Sequence, residues 1–81
     1  MTKQEIFDKA LQIITENTAC TAERIKPESK LMKEMEMTSL DLLILIGEIE
    51  SAFDIRFAEE DLLNIITMDD LTQAIIALMQ P

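Results

Sequence analysis

The chain contains no histidine and only one cysteine, Cys20. Without histidine, it cannot form a Ser–His or Cys–His nucleophile pair, and the spacing of its carboxylates indicates no acid–base dyad. A single cysteine excludes an internal disulfide and a multi-thiolate metal site, so we expect Cys20 to be a small, at least partly buried apolar residue. We therefore expect a protein that is not an enzyme and holds no metal.

Basic and aromatic residues are also scarce, with 7 Lys plus Arg against 16 Asp plus Glu, three Phe, and no Trp or Tyr. Nucleic-acid affinity comes largely from cations that neutralise phosphates and from aromatic rings that stack on bases. A net charge of −9 has the wrong sign for such a partner. Nucleic acid is therefore excluded as an expected partner.

No apolar run approaches the roughly 18 residues of a membrane span, and the amino terminus leads into an amphipathic segment rather than a signal sequence. With 48% hydrophobic residues in 81, the chain can nevertheless fold. We expect one globular domain over residues 1–81, cytoplasmic and monomeric, with an aliphatic core.

One glycine and two prolines argue against a fold rich in tight turns, so helices are expected. A Thr-x-x-Glu or Thr-x-x-Asp pattern, typical of a capped helix start, begins at Thr2, Thr38 and Thr67. These patterns predict a first helix over about residues 3–16, a second long helix and a last helix. A small third helix is expected at 59–63.

Residues 18–37 show little periodicity, which predicts a long loop between the first two helices. We expect four apolar side chains to hold this loop against the helices: Ile25, Leu31, Met32 and Met35. The predicted fold is all-α, a small four-helix bundle with three main helices, a short third helix and this long loop.

The second long helix carries apolar residues around nearly its whole circumference. Helical spacing predicts a core face of Leu42, Leu45 or Ile46, Ile49 and Phe53, which leaves Leu40, Leu43 and Ile44 at its edge or in solvent. Exposed apolar residues among carboxylates suggest a binding surface. The alternative is that other helices cover both sides of this helix.

Charge is distributed unevenly. Residues 1–33 have a net charge of +1, whereas residues 34–81 have −10 and a single cation, Arg56. Such a field attracts basic partners, although it would also serve simple solubility. Ser39 falls in the first turn of the second long helix, where the helix dipole favours an attached anion, but local chemistry alone favours an ordinary helix-start residue.

The segments Thr38-Ser39-Leu40-Asp41 and Glu50-Ser51-Ala52-Phe53-Asp54 resemble the serine motif and the helix end of acyl carrier proteins. Three further segments are similar to that family, so the resemblance covers essentially the whole chain: Ser29-Lys30-Leu31, Ala58-Glu59-Glu60 and residues 65–71.

The resemblance implies a four-helix carrier whose Ser39 receives 4′-phosphopantetheine from coenzyme A, in a magnesium-dependent reaction run by a phosphopantetheinyl transferase. The arm would hold acyl groups as thioesters and present them to acyl-transferring and condensing enzymes with basic docking patches. It also implies a docking surface formed by Met37, Thr38, Leu40, Asp41, Leu43, Ile44, Gly47 and Glu48.

Several positions depart from the family pattern. Thr38 replaces the usual Asp, Ile44 stands where carriers of fatty-acid synthesis have Glu, Gly47 replaces a larger apolar residue, and residues 34–37 lack the usual glycine. These changes suggest altered partner specificity, in a specialised acyl or polyketide-type pathway. Thr38 also keeps open an alternative, a carrier-fold interaction module that is never modified and acts as a subunit of a larger complex.

Overall fold

A computed structural model describes residues 2–18, 22–34 and 37–79. Its elements are α1 (Lys3–Asn17), a 3₁₀ turn (Ala22–Arg24), α2 (Leu31–Glu34), α3 (Ser39–Phe53), α4 (Glu59–Leu63) and α5 (Met68–Met79). The expected all-α architecture is confirmed, with the three long helices and the short helix α4 close to their predicted positions. Cys20 and Met35 lie outside the described residues.

The core lies where the three long helices meet, because α1 contacts both α3 and α5. Each long helix contributes residues at helical spacing, since positions three and four apart share one face. The buried apolar side chains of these helices are Ile6, Ala10, Ile14, Leu45, Ile46, Ile49, Phe53, Met68, Leu71 and Ile75. This core is aliphatic apart from one phenylalanine.

The connection between α1 and α3 contains two short helical segments that its sequence pattern does not predict, the 3₁₀ turn and α2. Ile25 and Leu31 are buried and hold the connection to the core as expected. The same expectation is wrong for Met32, which is 43% exposed. In the single helical turn of α2, Leu31 faces the core and its neighbour Met32 faces away.

Backbone hydrogen bonds join this connection to the start of α5. The carbonyls of Pro27 and Ser29 accept the N–H groups of Asp69 and Met68 at 2.8 and 2.9 Å. Leu31 N–H donates in turn to the Ile66 carbonyl at 2.9 Å. The segment before α2 is therefore fixed in place across the amino-terminal end of α5.

The end of α3 is closed by a left-handed residue, Asp54, with φ of 55°. The N–H of Ile55 donates to the Glu50 carbonyl at 3.1 Å. This bond between residues five positions apart is typical of a Schellman-type helix end. The Glu50 carboxylate accepts the N–H of Phe57 at 2.8 Å. The Glu-x-x-Phe-Asp segment thus ends the helix and holds the turn that follows it.

Candidate functional site

Thr38 fixes where α3 begins. Its side-chain oxygen accepts the N–H of Asp41 at 3.1 Å, and the Asp41 carboxylate accepts the N–H of Thr38 at 3.0 Å. This reciprocal pair is a capping box, which satisfies one free N–H of the first turn and stops the helix from extending backwards. Ser39 is consequently the first helical residue of α3.

Ser39 is exposed at this helix start. Within the described part of the chain, no group accepts a hydrogen bond from the N–H of Ser39 or of Leu40. Two outward N–H donors at the positive end of a helix dipole favour an anionic group. The position therefore combines an accessible hydroxyl with a local environment that suits a phosphate.

At the corresponding positions of α5, the N–H groups are not accessible. Met68 and Asp69 occupy the same two places after the capping threonine Thr67, but their N–H groups are taken by the carbonyls of residues 29 and 27. Met68 is completely buried. The two helix starts share a local motif, yet only that of α3 leaves its first turn accessible.

An exposed apolar face runs along α3 from Ser39. Leu40 is 65% exposed, Leu43 58% and Ile44 53%. This confirms the expectation that these three side chains lie outside the core, and the alternative that other helices cover both sides is wrong. We call Leu40, Leu43 and Ile44 the α3 face.

Gly47 extends this face by one further turn, and a Cβ atom there would meet nothing within 4 Å. It opens onto a groove of about 450 Å³ lined by Gly47, Glu50, Ser51, Asp54, Ile55 and Arg56. The glycine is therefore not required by close packing on this side. Its absent side chain leaves space at the surface.

Seven of the eight residues implied as a docking surface are exposed: Thr38, Leu40, Asp41, Leu43, Ile44, Gly47 and Glu48. Met37 is the exception, since it is 7% exposed and belongs to the core. Its N–H donates to the Met32 carbonyl at 3.1 Å, which turns the chain inward just before α3. Its side chain is therefore not available to a partner.

The sequence pattern missed three further exposed apolar residues, which lie outside α3. Leu63 is 78% exposed, Ile66 58% and Met32 43%. Each belongs to an adjacent apolar pair, 62–63, 65–66 and 31–32, whose other member is buried or half-buried. Such doublets in or beside short helices are the signal that could have revealed them, because both members cannot face the core.

Residues 2–18, 22–34 and 37–79 provide neither a metal site nor a membrane-spanning helix. No group of three or more His, Cys, Asp or Glu side chains is placed to hold a metal ion there. No helix in the same residues is long and apolar enough to cross a membrane.

Comparison with known proteins agrees with this geometry. The model of the phosphopantetheine attachment site family matches residues 8–75. An acyl carrier protein of Chlorobium phaeovibrioides is 37% identical over 76 residues, which are 94% of this chain and 97% of that protein. One from Thermotoga maritima is 33% identical over 73 residues, 90% of each chain.

A solved structure of the acyl carrier protein from Enterococcus faecalis has the same fold, with a TM-score of 0.81 over 96% of this chain and 99% of that one. The two sequences are 20% identical, so this likeness concerns the fold alone. The chain belongs to the acyl carrier protein family, as its sequence motifs suggested.

Membership in this family makes the chain a carrier with covalent phosphopantetheine as its cofactor, rather than an enzyme. The residues at the start of α3 fit phosphopantetheine. The exposed hydroxyl of Ser39 lies beside two N–H groups whose hydrogen bonds no described residue accepts. When bound, the cofactor supplies a thiol that holds acyl groups as thioesters.

Proposed function

We propose that residues 1–81 form a single carrier domain in which Ser39 is the attachment point of 4′-phosphopantetheine. A phosphopantetheinyl transferase would attach this arm, and the domain would then carry acyl groups between acyl-transferring enzymes and condensing enzymes. The observation that carries this proposal is the start of α3, where the Ser39 hydroxyl is exposed beside two N–H groups without a described acceptor.

In the attachment reaction, the Ser39 hydroxyl oxygen forms a bond to the phosphorus atom that bears pantetheine in coenzyme A. The bond from that phosphorus to the bridging pyrophosphate oxygen breaks, and adenosine 3′,5′-bisphosphate leaves. We assign the acceptance of the hydroxyl proton to a base of the transferase, because the Asp41 carboxylate of this chain is already bonded to the N–H of Thr38. Magnesium bound by the transferase would neutralise the departing phosphate.

The carrier's own contribution is to present and stabilise the phosphodiester. The first-turn N–H groups and the helix dipole favour its negative charge by about 0.3–1 kcal/mol at an exposed position. The capping box between Thr38 and Asp41 holds Ser39 at the first position of α3 without using its hydroxyl. The site is therefore a fixed, accessible attachment point.

We propose that partners dock on the α3 face and on four neighbouring residues, which are Thr38, Asp41, Gly47 and Glu48. Apolar side chains at the centre and carboxylates around them complement a partner patch with an apolar middle and a basic rim. The net charge of −10 over residues 34–81 supports a partner patch with a basic rim. Because the charges are exposed, added salt should slow association.

We further propose that the partners belong to a specialised acyl or polyketide-type pathway. The support is the apolar side chain at Ile44 and the missing side chain at Gly47, which would change both the charge and the shape of the docking face. Replacing Ile44 by Glu should alter stability by less than about 0.5 kcal/mol, because the side chain is 53% exposed. It should improve use by enzymes of bulk fatty-acid synthesis.

The attachment is tested by intact-mass spectrometry after incubation with coenzyme A, magnesium and a broad-specificity phosphopantetheinyl transferase. We expect the mass to rise by one phosphopantetheine group, and Ser39→Ala to remove this gain. Ser51→Ala is the matched control, because Ser51 is also exposed on α3 but lies in its last turn. This control should be modified like the wild type.

Modification that persists in Ser39→Ala would contradict the assignment. A wild-type chain that several transferases leave unmodified would instead support the alternative, an unmodified carrier-fold interaction module. The feature that favours this alternative is Thr38, which caps the helix but offers the transferase no carboxylate.

A further inference from the structure

A row of exposed residues runs along α3 from the attachment point. Side chains four positions apart form a ridge on the surface of a helix. One such ridge of α3, exposed at each position, consists of Ser39, Leu43, Gly47 and Ser51. Because Gly47 has no side chain, the ridge is interrupted there, between an apolar residue and a hydroxyl.

The gap at Gly47 opens into the groove of about 450 Å³ at the end of α3. Two hydrogen bonds fix the backbone around this groove. The N–H of Asp54 donates to the Glu50 carbonyl, and the Glu50 carboxylate accepts the N–H of Phe57 at 2.8 Å. A site that is fixed before binding loses little conformational entropy when it is occupied.

The distance from Ser39 to this groove matches the length of a phosphopantetheine arm. Gly47 lies about 12 Å along α3 from Ser39, and Ser51 about 18 Å, by the helical rise per residue. The arm has thirteen bonds between its phosphorus and its sulfur, and an extended chain advances about 1.2 Å per bond, so the arm reaches about 16 Å. An arm extended along the ridge therefore ends between Gly47 and Ser51.

The chemistry of the arm changes along its length in the same order as the surface of α3. Next to its phosphate, the arm carries a carbon with two methyl groups, which matches the exposed apolar side chains of Leu40 and Leu43. Its second amide lies about 12 Å from the phosphorus, at the level of Gly47. The groove there is lined by a hydroxyl and a carboxylate, those of Ser51 and Asp54, which can accept the amide N–H.

Covalent attachment makes a weak contact sufficient. A group held on a short flexible link is present at its site at an effective concentration in roughly the millimolar range. A groove that binds free pantetheine only at such concentrations is therefore substantially occupied by an arm attached at Ser39. The contact requires no partner protein.

We infer that the phosphopantetheine arm on Ser39 lies along this ridge of α3, with its methyl groups on Leu43 and its thiol end in the groove at Gly47. This inference rests on the proposed attachment at Ser39. The glycine is the residue on which the site depends, because a large side chain at position 47 would occupy the space that the arm enters.

The test compares the unmodified chain with the chain loaded with phosphopantetheine, by NMR spectroscopy of the backbone amides. Intact mass first verifies that loading is complete. We expect shift changes at residues 43, 47, 51 and 54–56, in addition to those beside Ser39. Nuclear Overhauser contacts between the methyl groups of the arm and the Leu43 side chain would identify the arm itself as their cause.

Gly47→Leu fills the groove and should leave the fold intact. Leucine favours a helix more than glycine does, and a Cβ atom at this position meets nothing within 4 Å. The loaded variant should lose the shift changes at residues 51 and 54–56 and keep those beside Ser39. The matched control is Ala77→Leu, which adds the same side chain at an exposed position of α5 that lines a different groove. This control should keep the wild-type pattern of shift changes.

Two outcomes would overturn this inference while the attachment at Ser39 stands. Shift changes confined to the first turn of α3 in the loaded wild type would mean that the arm extends into solvent. Shift changes at residues 51 and 54–56 that persist in Gly47→Leu would mean that the arm does not enter the groove. A wild-type chain that takes no adduct would overturn the proposed attachment and this inference with it.

Discussion

The starts of α3 and α5 have the same local chemistry and opposite surroundings. In each, a threonine oxygen accepts the N–H three residues later at 3.1 Å, and an aspartate reaches back to the threonine N–H at 3.0 Å. The first two N–H groups of α5 are satisfied by the connection before α2, whereas those of α3 have no acceptor among the described residues.

This difference shows that a capping motif specifies where a helix starts, but not whether the first N–H groups of that helix are accessible. At α5, the connection covers the first turn and is hydrogen-bonded to it, so that this helix start stabilises the fold. At α3, the same turn remains exposed beside Ser39 and can serve as an attachment point. Substitutions at matching positions of the two helices should therefore have unequal effects.

The largest contrast is expected at the first helical residue. Met68 is completely buried, so Met68→Ala should lower the free energy of unfolding by about 2–5 kcal/mol. Ser39→Ala should change it by less than about 0.5 kcal/mol, because Ser39 is exposed. Urea unfolding followed by far-UV circular dichroism measures both. Similar losses in the two variants would show that the α3 start is not open.

The capping aspartates should differ less. Asp70→Ala removes a cap and leaves the N–H groups of Ile66 and Thr67 without their acceptor, at a cost of about 2 kcal/mol. Asp41→Ala should cost about 1 kcal/mol or less, since water reaches its exposed partners. The same unfolding experiment compares them. A larger loss of stability for Asp41→Ala would show that the start of α3, rather than that of α5, is the one that stabilises the fold.

Acid should reveal the contribution of the Asp70 carboxylate to stability. The N–H of Thr67, with smaller contributions from Ile66 and the Thr67 side chain, holds the pKa of Asp70 below its ordinary value of 3.8, although partial burial opposes this. Because the folded-state pKa is lowered, the ionised carboxylate stabilises the native state at pH above that ordinary value. This stabilisation is lost as pH falls through the folded-state pKa.

Asp70→Asn should therefore flatten the acid-side decline of stability, measured by urea unfolding at a series of pH values. Glu5, whose pKa is also lowered by its bonds to Thr2, stays present in both proteins and serves as a common background. An unchanged pH profile would mean that Asp70 contributes no proton linkage.

The smallest structural effect is expected for Thr38→Asp, which exchanges one capping side chain for another. The free energy of unfolding should change by less than about 0.5 kcal/mol, because both residues accept the N–H of Asp41. The rate of phosphopantetheine transfer should rise, since the new carboxylate restores the family's usual residue. Mass spectrometry of samples quenched at successive times gives the rate. A rate equal to that of the wild type would remove Thr38 as a cause of altered partner recognition.

Much of the fold follows from short-range patterns. The capping boxes at Thr2, Thr38 and Thr67 are predictable because each involves residues only three apart, and the long helices begin just after them. The exposed position of Leu40, Leu43 and Ile44 follows from helical periodicity in the same way. Helical periodicity is therefore enough to propose an exposed apolar face on α3, whereas the attachment serine is implied by the resemblance to acyl carrier proteins.

Other features depend on contacts between distant segments. Periodicity could not show that Met37 is buried, nor that Met32, Leu63 and Ile66 are exposed, because these residues lie in or beside short helices, where too few residues define a face. The bonds of residues 27–31 to residues 66–69, and of Met37 to Met32, hold the backbone at Met32, Met37 and Ile66.

The amino-acid sequence by itself determined where each long helix begins, which side chains share a face, and the acidic charge of the half that carries Ser39. The tertiary structure alone decided which capped helix start is covered and which is open. The reason is physical: a cap satisfies groups within one turn, whereas covering the remaining N–H groups requires another segment of the chain to pack against them.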